Sequence, residues 1–273
     1  MRFRLYREYG ALNSKPIFDA FEQGLKVLGH ESVTSDDAIP VIWSVLWSGR
    51  MAQNYHIYNS KKPVVIIEVG NLKRNTTWRV SLNHVNRLGE FANISDLDLT
   101  RSEKIGINLH PIHQTRRPEI LITTQHAKSL QWQGQGNIED WLKNTVDEIR
   151  RYSSRPIVVR PHPRCPISPK ISGISIEHPK KLQGTYDDFD IDYNYHCVVN
   201  HNSGPTVQAA IHGTPIICDS SSLAYEMSGN FENIENISLP PREDWFLRLC
   251  HTEWTVEEIA KGIPLSRIFS KIS

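Results

Sequence analysis

Arginine, histidine and proline alternate directly after an apolar segment in the stretch VVRPHPR, residues 158–164. The prolines stiffen the chain and prevent it from continuing as a helix or a central strand. Guanidinium groups match the oxygen atoms of phosphates, so Arg160 and Arg164 are suited to bind them. His162 lies between them, and although a lone histidine is more often structural, these neighbours favour a functional one. The stretch predicts an anion-binding loop at the end of a strand.

A second polar stretch, NHNSGPT at 200–206, follows another apolar segment and precedes a run of small residues that is typical of a helix. Pro205 suits the first turn of that helix, whose unpaired main-chain N–H groups and dipole attract an anion. Ser203 and Thr206 add hydroxyl donors, and Gly204 permits a close approach of the main chain. The same pattern is typical of an ordinary capped helix, so its interpretation as a ligand site depends on the first stretch.

A third polar stretch begins with Gln125 and His126, directly after the apolar segment 119–124. Parallel strands carry their ligands at the edge where their carboxyl ends meet. We therefore expect Gln125 and His126 to join the predicted anion site, with a plain connecting loop as the alternative.

A carboxylate, Glu68, stands near the end of the apolar segment 62–71. At the end of a strand it is placed to accept a proton from a hydroxyl group, as a general base does. The alternative is an ion pair with a neighbouring arginine, while Asp36 and Asp37 precede their strand and lie at its amino end. Polar and basic residues that follow Glu68 are assigned to binding an acceptor molecule: Arg74, Arg79, Asn83, His84 and Arg87.

The spacing of apolar residues predicts alternating strands and helices. Strands are predicted at 38–47, 62–71, 119–124, 196–201 and 214–219, and in a segment that ends at Arg160. Helices are predicted at 16–29, at 137–154 with Asn137 as its N-cap, after Pro205, and at 255–263 with a capping box from Thr255 to Glu258. Over 75–117 the polarity rises and the strand pattern fades, and residues 100–118 are predicted as loops that lead to a boundary near Pro118.

Alternation of strands and helices is typical of parallel α/β layers with right-handed crossovers. We predict an α/β protein with two Rossmann-like lobes facing a cleft. The first lobe spans 1–118 and the second spans 119–245. A C-terminal helical segment, 246–273, packs back toward the first lobe.

Length, charge and cysteine content limit the possible partners. The chain has 273 residues and a net charge of +1, so binding of a polyanion requires a local basic patch. No apolar segment has transmembrane length and no signal-peptide core is present, so we expect no membrane partner. The four cysteines lack the paired spacing of a zinc site. We expect reduced thiols, a cytoplasmic location and no bound metal.

The motifs together resemble glycosyltransferases of the two-Rossmann-lobe (GT-B) type. The RPHP strand end, the Ser-Gly helix start and GTPIICDSSSLAYEMS resemble the lobe that binds a sugar nucleotide, which assigns 119–245 to the donor and 1–118 to the acceptor. The motifs Glu-x-Gly, His-Pro and Ser also resemble those of bacterial sialyltransferases and capsule-building transferases. The resemblance implies Glu68 as the base and a donor site formed by Gln125, His126, Arg160, His162, Arg164, Ser203, Gly204, Thr206, Ser221 and Ser222.

The short chain and its WTVEEIAKG tail resemble compact phage enzymes that glycosylate 5-hydroxymethylpyrimidines in DNA. This resemblance implies transfer of glucose from a UDP-sugar to the hydroxyl of 5-hydroxymethylcytosine, with inversion and without a metal. The UDP-sugar is a co-substrate and no cofactor is expected. Double-stranded DNA would be the partner, in the host cytoplasm if a phage encodes the protein, with a basic rim that includes Arg101, Lys104 and residues 113–117.

Two other functions stay open at the level of sequence. A transferase that builds a capsule or another glycan would carry the same donor motifs and use a sugar as acceptor. A non-catalytic module that binds sugar nucleotides would share the fold and lack turnover.

Overall fold

The computed structural model describes residues 1–60, 62–113, 115–167, 170–185 and 188–272. The chain divides into two compact units, which comprise 1–107 with 247–273, and 108–246. The chain passes from the first unit to the second after residue 107, whereas the boundary predicted from the sequence is at residue 118. Residues 247–273 belong to the first unit. The α/β fold class is confirmed by the sheets and helices of both units. The arrangement of two lobes around a cleft stays a prediction.

The described residues form the strands and helices that follow. The strands are β1 (Arg2–Leu5), β2 (Glu31–Ser32), β3 (Ile39–Trp43), β4 (Val65–Val69), β5 (Trp78–Leu82), β6 (Ile120–Thr123), β7 (Ile157–Arg160), β8 (Ile174–Ile176), β9 (Lys180–Lys181), β10 (Phe189–Asp190), β11 (Cys197–Val199), β12 (Ile216–Ile217) and β13 (Glu253–Trp254). The α-helices are α1 (Lys15–Val27), α2 (Ala52–Ser60), α3 (Arg101–Ile105), α4 (Ile138–Tyr152), α5 (Gly204–Ile211), α6 (Glu243–Cys250), α7 (Val256–Ala260) and α8 (Ile263–Phe269).

The sheet of the first unit has the strand order β13-β5-β4-β3-β1-β2. Strands β1 to β4 pair in parallel, whereas β5 runs antiparallel to β4, and β13 antiparallel to β5. The central strands β3 and β4 are apolar and buried, as expected for strands covered on both faces. Helix α1 packs its apolar face on this sheet with Ile17, Phe18, Phe21 and Leu25, and Gly29 lies just beyond its end with φ +70°.

The sheet of the second unit is entirely parallel, in the order β12-β11-β6-β7-β8. Helix α4 buries Leu142, Val146 and Ile149 against it. The predicted N-cap of α4 is confirmed, because the side chain of Asn137 accepts hydrogen bonds from the main-chain N–H groups of Glu139 and Asp140. The predicted capping box of α7 is also confirmed.

The absence of a strand expected over 75–117 and the loops predicted throughout 100–118 are both wrong. Strand β5 and helix α3 lie in this region. In β5, Trp78, Val80 and Leu82 alternate with polar residues, a period that indicates a strand, and every residue of the strand is buried. The polar residues include Arg79, whose charge suggests a loop in the sequence. In the structure tertiary packing buries its side chain.

A buried carboxylate holds the loop between β4 and β5. The side chain of Glu253, on β13, is fully buried and accepts hydrogen bonds from the main-chain N–H groups of Asn71 and Leu72 and from the Thr77 hydroxyl. A side chain on Gly70 would lie 2.4 Å from that carboxylate, so glycine is required there. Glu253 therefore fixes the course of the chain directly after β4.

Replacing Glu253 with glutamine should destabilise the first unit by about 1–3 kcal/mol, because one carboxylate oxygen becomes an amide that faces main-chain N–H donors. Urea unfolding followed by tryptophan fluorescence measures the change. The control is Glu257→Gln, whose exposed ion pair with Lys261 contributes about 0.5 kcal/mol or less. Equal stability of the two variants would show that the Glu253 contacts are not important for stability.

Candidate functional site

Four polar loops leave the same edge of the parallel sheet in the second unit. They follow the carboxyl ends of β6, β7, β11 and β12, which pair in parallel as one continuous set. This edge is where ligands bind in open parallel α/β sheets. The predicted donor-site residues all lie in these loops or directly beside them: Gln125, His126, Arg160, His162, Arg164, Ser203, Gly204, Thr206, Ser221 and Ser222.

Side chains that accept hydrogen bonds from main-chain N–H groups hold three of the loops together. The main-chain N–H of His162 donates to the Thr124 hydroxyl over 3.0 Å. The Gln125 side-chain oxygen accepts from the main-chain N–H of Asn202 over 3.1 Å. Since β7 and β11 flank β6, their ends are two strand spacings, about 10 Å, apart. The two predicted halves of the anion site therefore lie near each other at one edge.

His126 and His162 form a pair of imidazole donors. Their rings lie 5.4 Å apart and nearly perpendicular. The Nδ1 atom of each ring accepts a main-chain N–H, from Lys128 and Arg164 respectively, so the Nε2 atom of each neutral ring carries the proton. Burial, aided by the positive charges of Arg164 and Lys128, lowers the pKa of His126. Both rings thus present N–H donors in their neutral state.

The start of α5 provides a hydroxyl without a partner. Ser203 precedes the helix in an extended conformation, and its Oγ atom is buried without a hydrogen-bond partner among the described residues. The Thr206 hydroxyl instead donates to the Ser203 carbonyl over 3.2 Å, and its residue is fully buried. Of the two predicted hydroxyls, only that of Ser203 has no hydrogen-bond partner among the described residues.

Arg160 ends β7, as predicted, and its side chain is buried. Its guanidinium donates to Glu177 over 2.7 Å and to the hydroxyl of Tyr195, and the residue is only 4% exposed. Burial and the hydrogen bond to Glu177 raise the pKa of Tyr195 to about 12. The guanidinium thus belongs to a buried network that ties β7 to the segments after β8 and before β11. Of the two predicted arginines, only Arg164 is exposed in its loop.

The two serines after β12 differ in environment. The Ser221 hydroxyl accepts from the Asn202 side chain over 2.7 Å and donates to Asp219 over 2.6 Å, which joins the fourth loop to the other three. Ser222 is 1% exposed and accepts from the main-chain N–H of Ala224, a role in local structure. Only Ser221 lies in a position to support a ligand.

Sequence reasoning missed the residues that hold the loops in place. The Asn200 side chain donates to the Thr123 carbonyl and its oxygen accepts from the main-chain N–H of Ser203. Thr124 joins the loop after β6 to the loop after β7. Asn202 joins the loop after β11 to the loop after β12. Their signal was available, because each comes within the first residues after an apolar segment.

In the first unit, Glu68 lies near the carboxyl end of β4. One oxygen of its carboxylate accepts from the Ser44 hydroxyl over 2.6 Å, and the other accepts from the main-chain N–H of Val69 over 2.8 Å. Ser44 follows the neighbouring parallel strand β3 and has φ +53°, a left-handed conformation that is uncommon for residues other than glycine. Both carboxylate oxygens are thus oriented by the ends of adjacent strands.

Arg79 does not pair with Glu68, although the two residues are opposite each other on β4 and β5. Its guanidinium donates to the carbonyl oxygens of Val85 and Val69, and the residue is 7% exposed. Within the described part of the chain, Glu68 forms no ion pair, which is the alternative that the sequence left open. Arg79 is equally unsuited to contact an acceptor, because its side chain is buried.

Asn83 and His84 do not lie beside Glu68. Because β5 runs antiparallel to β4, the residues directly after Leu82 are at the amino end of β4, opposite the end that carries Glu68. Arg87 is exposed in the turn that follows. The Asn83 side-chain oxygen accepts from the main-chain N–H of Val64, before β4 begins. The prediction of a common acceptor site overlooked the reversal of chain direction. Arg74 is exposed in the loop after β4 and stays a candidate.

His84 makes the stability of the fold depend on pH. Burial, together with the positive charge of Lys62, lowers its pKa from 6.5 to about 4. The unfolded chain therefore binds a proton below pH 6.5 that the folded chain takes up only near pH 4, so stability is lost as the pH falls through this window.

For His84→Gln, we expect unfolding free energy to fall less between about pH 7 and pH 4.5 than in the unchanged protein, by about 1–2 kcal/mol. Urea unfolding at both pH values measures the difference. His178→Gln, at an exposed histidine, is the control and should retain the original pH dependence. An unchanged pH dependence in the His84 variant would contradict the assignment.

Comparisons with known proteins identify the fold. The chain is similar to Thermosulfurimonas dismutans KpsC, beta Kdo 2,7 transferase, with TM-score 0.54 and 14% identity over 97% of this chain and 99% of that one. It is also similar to Thermosulfurimonas dismutans KpsC, beta Kdo 2,4 transferase, with TM-score 0.55 and 11% identity over 97% and 98% of the two chains. No family model and no curated protein matches the sequence. At these identities the comparisons establish that the chain shares the fold of these two glycosyltransferases.

Proposed function

We propose that the protein is a glycosyltransferase that uses a sugar as its acceptor and builds a glycan. The observation that carries the proposal is the meeting of four polar loops at one sheet edge, in a chain whose fold matches two Kdo transferases over nearly its whole length. None of the helices in the described part of the chain combines the length and apolar character needed to span a bilayer.

The donor in this proposal is a sugar nucleotide whose phosphates bind at the edge of the second unit. The ring N–H groups of His126 and His162, the Ser203 hydroxyl and the first main-chain N–H groups of α5 act as donors to phosphate oxygens. Arg164 adds a positive charge. These groups stabilise the negative charge that develops on the leaving phosphate as the bond to the sugar breaks.

Glu68 is the proposed base. As the acceptor oxygen forms a bond to the anomeric carbon, the bond from that carbon to the nucleotide phosphate breaks, and the hydroxyl proton passes to the Glu68 carboxylate. A single displacement of this kind inverts the configuration of the anomeric carbon. The hydrogen bonds from Ser44 and from the main chain at Val69 hold the carboxylate in a defined orientation before the acceptor arrives.

The environment of the basic residues favours a sugar acceptor over DNA. Phosphate contacts in DNA require exposed cationic side chains. Arg101 is 3% exposed and pairs with Glu258, and Lys104 pairs with Asp98. Arg117 pairs with Glu119 and stacks on the ring of Tyr195. Arg101 is therefore withdrawn from the basic rim expected from the sequence, and acidic partners offset the charges of the exposed Lys104 and the partly exposed Arg117.

Incubation with labelled donors tests the proposal. The donors are UDP-glucose, other UDP-sugars and nucleotide-activated Kdo, offered with glycan primers and, separately, with DNA containing 5-hydroxymethylcytosine. We expect label in a glycan primer, and a loss of about 100-fold or more in Glu68→Gln, because a positioned base contributes that much to the rate. Glu139→Gln, at an exposed glutamate of α4, should be fully active.

The other results of this experiment are equally decisive. Label in the DNA would show that the acceptor is a modified base and not a sugar. Binding of a donor without turnover under any condition would favour a non-catalytic sugar-nucleotide module. Full activity of Glu68→Gln would show that another group removes the proton.

Two substitutions of Ser44 distinguish the effect of its hydroxyl on the transfer rate from the effect of its left-handed conformation on stability. Ser44→Ala and Ser44→Gly both remove a hydrogen bond to a carboxylate, a contact of about 1.5–3 kcal/mol, so both should lower the transfer rate by about tenfold or more. Glycine adopts the left-handed conformation without strain, so Ser44→Gly should be about 1 kcal/mol more stable than Ser44→Ala. Initial rates and urea unfolding measure the two effects, and a normal rate in both variants would contradict the role of the Ser44 hydroxyl.

A further inference from the structure

A polar hollow of about 340 Å³ lies in the second unit, in residues that the proposed reaction does not use. Residues 225–238 supply its lining. The side chains that matter are those of Tyr225, Asn230, Asn233, Asn236, Ile237 and Ser238. The lining contains amide, hydroxyl, phenol and aliphatic groups, and it contains no charged side chain.

The three asparagines are aligned by the secondary structure that carries them. Residues Phe231–Asn236 form a 3-10 helix, and Asn230 caps it by accepting a hydrogen bond from the main-chain N–H of Asn233. A 3-10 helix has three residues per turn, so side chains three residues apart lie one above another, with a spacing of about 6 Å along the axis. Asn233 and Asn236 therefore lie one above the other on one side of the helix, and the amide of the capping residue Asn230 precedes them; these three amides are called the row.

The opposite side of this helix is held in the core. Ile234 is fully buried and belongs to the apolar cluster that α4 and the parallel sheet share. The row is therefore presented by a rigid element. Runs of 3-10 helix longer than three or four residues are uncommon, and this one has six residues.

The amide row retains unused hydrogen-bonding capacity. Asn230, Asn233 and Asn236 are exposed, and the side chains of Asn233, Asn236 and Ser238 have no hydrogen-bond partner within the described parts of the chain. Ile237 forms an apolar floor and packs so closely on Gly229 that a side chain there would lie 2.8 Å from it. Tyr225 is 42% exposed and adds an aromatic surface.

From this arrangement we infer a binding site for an uncharged saccharide chain. Each primary amide offers both donors and an acceptor, which match the paired donor and acceptor character of sugar hydroxyls. An amphipathic tyrosine ring and an aliphatic floor suit the less polar face of a sugar ring. Glu232, exposed on the same helix, disfavours an anionic chain. The regular spacing of the row suits a repeating chain rather than a single sugar.

Binding without any donor sugar tests this inference independently of the proposed reaction. The probes are maltohexaose, cellohexaose and chitohexaose, with polysialic acid as a charged comparison. In ¹⁵N spectra of the intact protein, we expect a neutral hexasaccharide to shift the side-chain amide signals of Asn230, Asn233 and Asn236. Polysialic acid should leave these signals in place.

The double variant Asn233→Ala and Asn236→Ala should raise the dissociation constant by at least about tenfold, the effect of losing two modest hydrogen bonds. Its melting temperature should be unchanged, because neither side chain bonds to the described protein. Asn144→Ala, an exposed asparagine on α4, is the matched control and should bind normally.

Two results would overturn the inference. One is the absence of any shift in these amide signals with all three neutral chains at millimolar concentration. The other is binding that survives the double variant undiminished. Neither result bears on transfer, and a protein that fails to transfer sugar but binds a neutral chain at the row would contradict only the proposed function.

Discussion

Parallel pairing of β6, β7, β11 and β12 is the constraint on which the second unit depends. It brings four chain segments that are distant in sequence to one edge of a sheet. Pairing alone leaves the loop N–H groups without partners. Thr124 and Gln125 satisfy two of them from a neighbouring loop, and Asn200 satisfies a third within its own loop. The groups that a phosphate would meet are therefore positioned by buried hydrogen bonds before a ligand binds, which is the preorganisation that charge stabilisation requires.

In the first unit, carboxylates are the hydrogen-bond acceptors for main-chain N–H groups at the strand ends. Glu253 satisfies main-chain donors after β4 from a strand that is distant in sequence, and Gly70 leaves room for it. Glu68 receives its own main-chain N–H and the hydroxyl of Ser44, whose left-handed conformation directs the chain away after β3. Strain at Ser44 persists because packing around the strand end outweighs it, as is common where geometry serves a function. A carboxylate held on both oxygens in this way has little freedom left to lose, which suits the base that we propose.

The sequence was sufficient for elements whose apolar period is strong and whose ends carry caps. The elements predicted correctly are α1, α4, α7 and the central strands. The sequence also placed His126, His162 and Ser203 correctly, after strands of one parallel sheet. It failed at β5, where polar residues such as Arg79 are buried by tertiary contacts that no local pattern records. It also misplaced Asn83 and His84, because the direction of β5 relative to β4 depends on pairing rather than on composition.

Accounting for hydrogen bonds separates side chains that build this protein from those it offers to ligands. Asn200 and Asn202 are buried, and their amides bond to the loops beside them. Arg160 resembles a phosphate ligand by its position in the sequence, yet it is buried and its Nη2 atom bonds to Glu177 and Tyr195, while its Nε and Nη1 atoms have no partner among the described residues. Ser203 Oγ and the exposed amides of the row at Asn233 and Asn236 have no such commitment within the described residues. A polar group that a fold buries and leaves unpaired, as it does Ser203 Oγ, incurs a cost that a ligand can remove, and residue type alone does not reveal it.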